Sequence, residues 1–413
     1  MHLVLVTICY PPEIRSISIM MRELAEELVA RGHRVTVLTS WPQYNLSAEA
    51  RGTIFATDMH MNGVRVIRVK TLPTHKVAYV LRGLAHLDLP RRFLWTYHAH
   101  VHDRVDGIIS YISPLPLAQV GHAIAREHRA PHLLNVQDIF PQNAIDLGIM
   151  RNRALIAYFE RMERIAYANA DVITTHTEGS KTFLLEQKQV PTAKVSVVPN
   201  WIDLDTWRTA KPTGAFRRRY RLEKKIIIGF PGVLGPAQHL DFVLEVARRT
   251  QDLQDLVFLF VGDGTERERL VTRAQTEGLR NVQFETFVDP SAYPAFVKEL
   301  DVGLLCLDPT YTTSMVPGKL TGFLAAGIPV LAFLNRNNDG LGIVSTAHCG
   351  YTCISDDVHR AVALVRQCYR DRQRLPALGA AGRAYAEAHY AKYTCIDALE
   401  RMVMQCTATG THA

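Results

Sequence analysis

Short apolar runs alternate with longer amphipathic stretches along nearly the whole chain, and this alternation is what most constrains its fold. Residues 2–8 (HLVLVTI) are aliphatic and β-branched on both faces, the pattern of a short strand buried on both sides. Residues 17–31 then change to helical spacing. Met20, Leu24 and Leu28 share one face, with Glu23, Glu26, Glu27 and Arg31 opposite. Gly32 ends that helix, because glycine enters the left-handed conformation cheaply. Residues 34–39 (RVTVLT) return to a strand. Further strands are expected at 64–69, 107–111, 132–136, 171–175 and 194–198, with helices between most of them, including 115–129 and 154–168. Residues 203–225, with Pro212, Gly214 and a basic cluster from Arg217 to Lys225, break the rhythm and read as a solvated connecting helix. It then restarts, with strands at 225–230, 256–261, 281–285, 301–306 and 328–333 and helices at 240–250, 265–277 and 317–326. Residues 373–406 read as helical and alanine-rich. Strand–helix alternation of this kind predicts an α/β protein with two doubly wound parallel-sheet domains, residues 1–203 and 204–389, the helix of about 390–413 joining the first. A ligand cleft is expected between them, at the carboxyl ends of the strands.

A chain of 413 residues is long enough for two such domains. Met1 to Ile8 enter a strand without a basic leader, and no window reaches the roughly 18–20 apolar residues of a spanning helix, so a cytoplasmic protein is expected. Seven scattered cysteines argue against a disulfide framework, and Cys349 and Cys353 have no second pair to complete a zinc site. They are expected to be reduced and mostly buried. The net charge of +7 suits a diphosphate ligand, an anionic membrane face or nucleic acid. Nucleic acid is the weakest of the three, since no zinc-finger spacing or RNA-recognition aromatic signature is present.

Four strand-to-helix loops carry candidate chemistry. Cys9–Ser16 leads into a helix whose N-terminus would attract an anion, with Arg15 as a direct phosphate contact; an ordinary turn capped by Ser16 is the equal alternative. Pro231–His239 contains Gly232 and Gly235, which permit close backbone approach to a phosphate. In Val261-Gly262-Asp263-Gly264, Asp263 is read as a turn and cap residue. Segment 314–330 (SMVPGKLTGFLAAGIPV) is the most informative. Pro317 suits the first helical position, which places Ser314, Met315 and Val316 at the helix N-terminus and Lys319 in its first turn. A cation there opposes the helix dipole unless an anion is bound. Asp138, after strand 132–136, is placed to orient a sugar hydroxyl or accept a proton. His98, His100 and His102 would converge on a metal only from a strand, and their surroundings read as helical. Residues 76–104 mix Leu, Phe, Trp and Tyr with Arg82, Arg91, Arg92 and Arg104, either as an interfacial helix on an anionic membrane or as a core helix with basic edges.

Taken together, these segments resemble glycosyltransferase family 4, retaining enzymes of the GT-B fold. The resemblance rests on PPE at 11–13, RGHRVTVLT at 31–39, GVRVIRV at 63–69 and NVQDIFPQNAIDLG at 135–148. It continues through VVPNWID at 197–203, GVLGPAQHLD at 232–241, VGDG at 261–264 and VPGKLTGFLAAGIPV at 316–330. The QDIFP and PNWID segments look most like the branch that builds bacterial surface polysaccharides, including colanic-acid-type and fucosamine-type transferases. The resemblance implies a second domain that binds a nucleoside-diphosphate sugar, with UDP or GDP as carrier. Gly232, Leu234 and Gln238 would lie in the diphosphate loop, Arg15 and Ser16 in the first-domain anion loop, and Phe287 near the base. Ser314, Met315, Val316, Lys319 and Leu320 would lie in the segment that holds ribose and phosphates. The first domain would take a lipid-linked or oligosaccharide acceptor at the inner membrane face, with Asp138 and Lys319 as the catalytic pair and no metal or other cofactor. The chain departs from the family pattern where that pattern has two glutamates (here Ser314 and Gly322), an Arg and a Lys (Val233 and Gln238), and a His (Gln137). A sugar-nucleotide epimerase or phosphorylase on the same fold, and a non-catalytic sugar-nucleotide scaffold, are the alternative readings.

Overall fold

A computed structural model of the chain divides into two compact units, Met1–Pro199 with Tyr393–Ala413, and Asn200–Lys392. It describes residues 1–43, 45–46, 50, 52–73, 77, 79–289, 291–314 and 316–409.

The first unit runs β1 (His2–Val6), α1 (Ser16–Ala30), β2 (Arg34–Ser40), β3 (Asp58–Met61), β4 (Val64–Val69), α2 (Tyr79–His100), β5 (Gly107–Tyr111), α3 (Leu117–His128), β6 (His132–Val136), α4 (Gln142–Asp146), α5 (Arg153–Asn169), β7 (Val172–Thr175), α6 (Glu178–Glu186) and β8 (Val195–Val197). Its sheet has the order β3-β4-β2-β1-β5-β6-β7-β8, parallel throughout except at the edge pair β3–β4. Strands β1, β5 and β6 are buried at every position, which explains their predominantly apolar character; the polar residues they carry, such as Ser110 and His132, are hydrogen-bonded. Helix α1 buries Met21, Leu24 and Leu28; Met20, expected on that face, is only half-buried. Helix α3 comes close to the sheet at Gly121, above the hydrogen-bonded pair His132 Nε2 and Ser110 Oγ (2.8 Å). Burial holds that imidazole neutral, lowering its pKa to about 3.

The second unit runs α7 (Leu204–Thr209), α8 (Ala215–Tyr220), β9 (Ile226–Pro231), α9 (Leu240–Arg248), β10 (Leu256–Val261), α10 (Arg267–Thr276), β11 (Val282–Glu285), α11 (Tyr293–Val297), β12 (Val302–Cys306), α12 (Lys319–Ala326), β13 (Val330–Leu334), α13 (Asp339–Thr346), β14 (Gly350–Ile354), α14 (Val358–Arg370) and α15 (Leu375–His389). Its sheet is wholly parallel, in the order β11-β10-β9-β12-β13-β14. Alternate strand residues feed two separate core layers, as a period of two requires. Ile227, Leu259, Val330 and Ala332 pack with Leu320, Phe323 and Ala386. Ile228, Phe230, Phe258, Leu331 and Phe333 pack with Val243, Leu244, Leu364 and Val365. Helices therefore cover both faces, the doubly wound arrangement.

Three expectations are corrected here. Residues 203–225 hold two short helices rather than one solvated connector, and Arg217 is a structural pin. Its guanidinium donates to Glu299 O (2.9 Å), Lys225 O (3.0 Å) and Asp301 Oδ2 (2.8 Å). The alanine-rich tail splits at Tyr390 into α15 and α16 (Lys392–Thr409). In the first unit, Arg31 donates to Asp397 and to Glu400 (2.6 Å), and His33 Nε2 lies 2.7 Å from Glu400 Oε1. Helix α12 begins at Lys319, not at Pro317, because Pro317 O already accepts from Leu320 N (2.9 Å) and Gly318 is the N-cap. All seven cysteines are free, six of them buried.

Both sheets reverse their strand order beside their first strand, between β1 and β5 in one and between β9 and β12 in the other. Doubly wound sheets bind ligands outside the carboxyl ends of the strands at such switch points. The loops after β1 and β5, and those after β9 and β12, are therefore where function is sought.

Candidate active site

In the first unit, the loops after β1, β5 and β6 join α2 and α5 around a cavity of about 740 Å³. Arg15, Ser113, Asp138 and Asn143 contribute its polar lining, and Leu87, Ile112, Leu155 and Phe159 are among its apolar walls. Asp138 sits one residue past the β6 loop entry, and its Oδ2 accepts from Ser113 Oγ (3.2 Å), so the loop after β6 is tied through the carboxylate to the switch-point loop after β5. Beneath it, burial and then the Asp138 charge push the Tyr111 phenol far up, so that hydroxyl stays protonated. Gln137 takes no part in the cavity wall. It is buried and its Nε2 donates to Asn135 Oδ1 (2.6 Å), while Asn135 Nδ2 donates to Thr174 Oγ1 (3.0 Å). Arg15, not Ser16, is the N-cap of α1, with no side-chain capping bond; Ser16 is an exposed first helical residue. Sequence reasoning named Asp138 and Arg15 but not Ser113, which no motif marks.

In the second unit, the loops after β9 and β12 meet through Gly232 and Lys319. A Cβ on Gly232 would lie 2.6 Å from Lys319 Cε, so only glycine leaves the lysine its place. Gly232 also has φ +127°, which favours glycine. The Lys319 ammonium sits 4.4 Å from the Phe230 ring centroid. As the first helical residue of α12 it stands at the positive end of the helix dipole. Burial lowers its pKa to about 8, the nearby Cys306 opposing. The adjacent loop explains its glycines too. A Cβ on Gly262 would strike Gly232 O, and one on Gly264 would strike Leu234 O. Gly232 N donates to Val261 O (2.8 Å) and Leu234 N to Asp263 O (2.9 Å), fastening the two loops backbone to backbone. Asp263 Oδ1 accepts from Gly264 N (2.9 Å), the turn role expected of it.

Other named residues fall elsewhere. Leu234 and Leu320 are fully buried core side chains, so neither side chain reaches a ligand; both lie on strongly apolar stretches that sequence could not separate from a loop contact. Gln238 Oε1 accepts from Gly235 N (3.1 Å), closing its own loop. Ser314 is buried, five residues before the helix it was expected to lead, and its Oγ accepts from Asp339 N (3.0 Å). Val316 packs against the core, and Met315 lies outside the described residues. Phe287 follows β11 and is 56% exposed. At Gly322 a Cβ would touch the Trp207 indole at 3.4 Å, so that buried ring occupies the space beside the position. His98 and His100 lie on α2, one against Glu127 (2.9 Å) and the other against Asp58 (3.6 Å), and do not converge.

The Glycosyl transferase 4-like domain family matches residues 17–201, and the Glycosyl transferases group 1 family matches residues 213–385. The chain belongs to the glycosyltransferases. A putative colanic acid biosynthesis glycosyl transferase of Escherichia coli (strain K12), WcaI, is 27% identical over 94% of this chain and 96% of its own length. Among solved structures, a sucrose-phosphate synthase from Thermosynechococcus elongatus superposes with a TM-score of 0.78 at 16% identity, over 99% of each chain. Anabaena Alr3699/HepE in complex with UDP-glucose does so with a TM-score of 0.72 at 15% identity, over 98% of this chain and 100% of that one. At such identities the two structures show the fold alone. This glycosyltransferase thus has the GT-B fold, built from two Rossmann-like units. Among its described residues no helix is long and apolar enough to cross a membrane.

Proposed function

We propose that this glycosyltransferase moves a sugar from a UDP- or GDP-sugar to a lipid-linked or oligosaccharide acceptor in surface polysaccharide biosynthesis, with retained anomeric configuration. The observation that carries the reading is Lys319 held against Gly232 at the switch point of the second sheet. As the glycosidic bond breaks, negative charge grows on the departing nucleoside diphosphate. A cation and helix N-terminus already in place stabilise that charge without reorganisation. Lys319 would supply the positive charge that Val233 and Gln238 do not. On this reading the pair fills the role a metal ion would otherwise take, and none is required. The leaving phosphate takes the acceptor's proton on the same face, which gives retention without a protein nucleophile. Asp138, fixed by Ser113, orients the acceptor hydroxyl in the first unit. The relative WcaI is named for colanic acid biosynthesis and the Anabaena structure holds UDP-glucose, which supports polysaccharide assembly and a nucleotide-sugar donor. We place the protein at the inner membrane face, as a peripheral enzyme.

The test is thermal shift with UDP, GDP, ADP and CMP, followed by a transfer assay. A ligand at ~100 times its dissociation constant adds ~2.7 kcal/mol of stability. A shift with UDP or GDP alone supports the donor class, and none with any nucleotide overturns it. Turnover of the nucleotide sugar to a new sugar without an acceptor would favour an epimerase instead.

A further inference from the structure

The loop after β12, residues 307–318, carries the chain from the switch point of the second sheet to Lys319, and it is fastened from the loops on either side. Near its start Asp308 N donates to Ala237 O (2.9 Å), in the loop after β9. Further on, side chains of the loop after β13 take over. Asn335 is wholly buried, and its Nδ2 donates both to Tyr311 O (3.0 Å) and to Thr313 O (3.2 Å). Both protons of one carboxamide are thus spent on the backbone of a neighbouring loop. Its other end is fixed as well, since Asn335 Oδ1 accepts from Asn338 Nδ2 (2.9 Å). Asn338 in turn caps α13, its Oδ1 accepting from Gly340 N (2.9 Å). Asn337 Nδ2 donates to Thr312 O (3.4 Å) and Asp339 N donates to Ser314 Oγ (3.0 Å), so each residue from 311 to 314 is held by the segment 335–339.

Resting on the proposed function, we infer that Asn335 is a positioning residue for the donor side of the reaction: it holds the loop after β12 in its binding shape before a nucleotide arrives, and through that loop it sets Lys319. With no exposed surface, Asn335 acts through the loop and not on a ligand. Tyr311, Thr313 and Ser314 are buried, and a buried carbonyl left without a donor is costly, so the carboxamide selects one path for this segment. Beyond Ser314, Val316 packs into the core layer that holds Leu320, which anchors the chain between the clamp and the start of α12. Lys319 then stands over the Phe230 ring. A loop ordered in advance spares the binding step the entropy of ordering it. The same order keeps the cation in place when charge develops on the leaving group.

The experiment compares the full-length protein with Asn335→Ala in three readings: amide hydrogen exchange without nucleotide, affinity for UDP and GDP, and the split between kcat and donor KM in the transfer assay. The last two are taken well below the Tm of the variant. In Asn335→Ala the amides of 308–319 are expected to exchange faster, while those of β9, β10 and β13 keep their protection. If the loop is then competent about a tenth of the time, the apparent Kd for the nucleotide rises about tenfold. Donor KM should rise with it and kcat stay near that of the unaltered protein, because the bound nucleotide orders the loop again. Asn338→Ser keeps a cap on α13 and loses only the grip on Asn335 Oδ1, so it should give smaller changes of the same kind, and it decides the matter if the alanine variant does not fold. Unchanged exchange across 308–319 overturns the inference, as does a lower Tm with unaltered nucleotide affinity and donor KM. If the unaltered protein binds no nucleotide, the donor reading fails instead, and hydrogen exchange still shows whether Asn335 holds the loop.

Discussion

The Lys319 ammonium lies 4.4 Å from the centroid of the Phe230 ring, and Gly232 leaves the space in which its side chain runs. Burial lowers its pKa to about 8, so charge at this position depends on pH in a range easily reached. The protonated form predominates below pH 8 and is lost as pH rises through that value. A bound diphosphate favours the charged form and raises the pKa. Nucleotide affinity is therefore expected to fall above pH 8, and binding at pH 8.5 to take up a proton. Calorimetry in two buffers of different ionisation enthalpy reads that uptake. Lys319→Arg should abolish it, because a guanidinium stays charged. Lys319→Ala should cost roughly 10²–10³ in transfer rate.

Gly232 and Gly262 make a second prediction, with different outcomes at the two positions. Ala at 232 pushes on the flexible end of Lys319 and sits in a φ region that costs about 1–3 kcal/mol. Its main effect is weaker nucleotide binding with modest loss of stability. Ala at 262 meets the Gly232 carbonyl, a backbone atom that cannot swing aside. Gly262→Ala should lower Tm more than Gly232→Ala, each 1 kcal/mol moving Tm by ~2–4 °C in a unit of this size. Equal Tm losses would contradict the loop-on-loop packing.

Much of this was legible in the sequence, because period and burial leave direct marks. Strands β1, β5 and β6 are buried along their length and read as short, mainly apolar runs. The edge strand β3, half-buried as DMHM, left no such mark and was missed. The segment between Leu334 and Arg370, with α13, β14 and α14, was likewise not resolved into elements. Lys319 stood out because a cation at a helix start contradicts the dipole. Its packing on Phe230 could not be read, since that depends on which loop approaches which. Leu234 and Leu320 show the reverse failure. They stand inside motif segments, and a motif marks where the backbone goes without saying which side chains turn to the core.

Asp138 and Ser113 form a pair whose roles separate kinetically. Asp138→Asn keeps a hydrogen-bonding group of the same shape but removes the charge, and is expected to lower kcat by about 10²-fold as an acceptor-orienting group is weakened. Ser113→Ala only frees the carboxylate to swing, so it should raise the KM for acceptor more than it lowers kcat. Neither should change the donor's thermal shift. Full activity in Asp138→Asn would remove it from the mechanism.

Gly121 tests the first unit's core rather than its chemistry. A Cβ there would collide with both Ser110 Oγ and His132 Nε2, two atoms that already hold each other at 2.8 Å in a buried layer. Neither can rotate away without orphaning a buried polar atom, which costs about 1–3 kcal/mol. Gly121→Ala should therefore destabilise despite the higher helix propensity of alanine, and pairing it with Ser110→Ala should recover part of the loss.

Gly322 and Trp207 bear on what the second unit can bind. The family pattern places a glutamate at 322, yet here the buried indole of Trp207 lies 3.4 Å from where even a Cβ would stand. Alanine fits that contact, and in mid-helix it gains up to ~1 kcal/mol in propensity, so Gly322→Ala should leave stability level or slightly raised. A glutamate cannot fit without moving the indole. Gly322→Glu should thus lose several kcal/mol, and Trp207→Ala alone about 3–5 kcal/mol from its cavity. The double variant should be more stable than the sum of the two losses, because each change removes the other's cost. Strict additivity in that double-mutant cycle would show that the two positions do not compete for one space. A positive coupling would mean that the small residue at 322 and the large one at 207 belong together, so that a carboxylate can be restored here only by changing both.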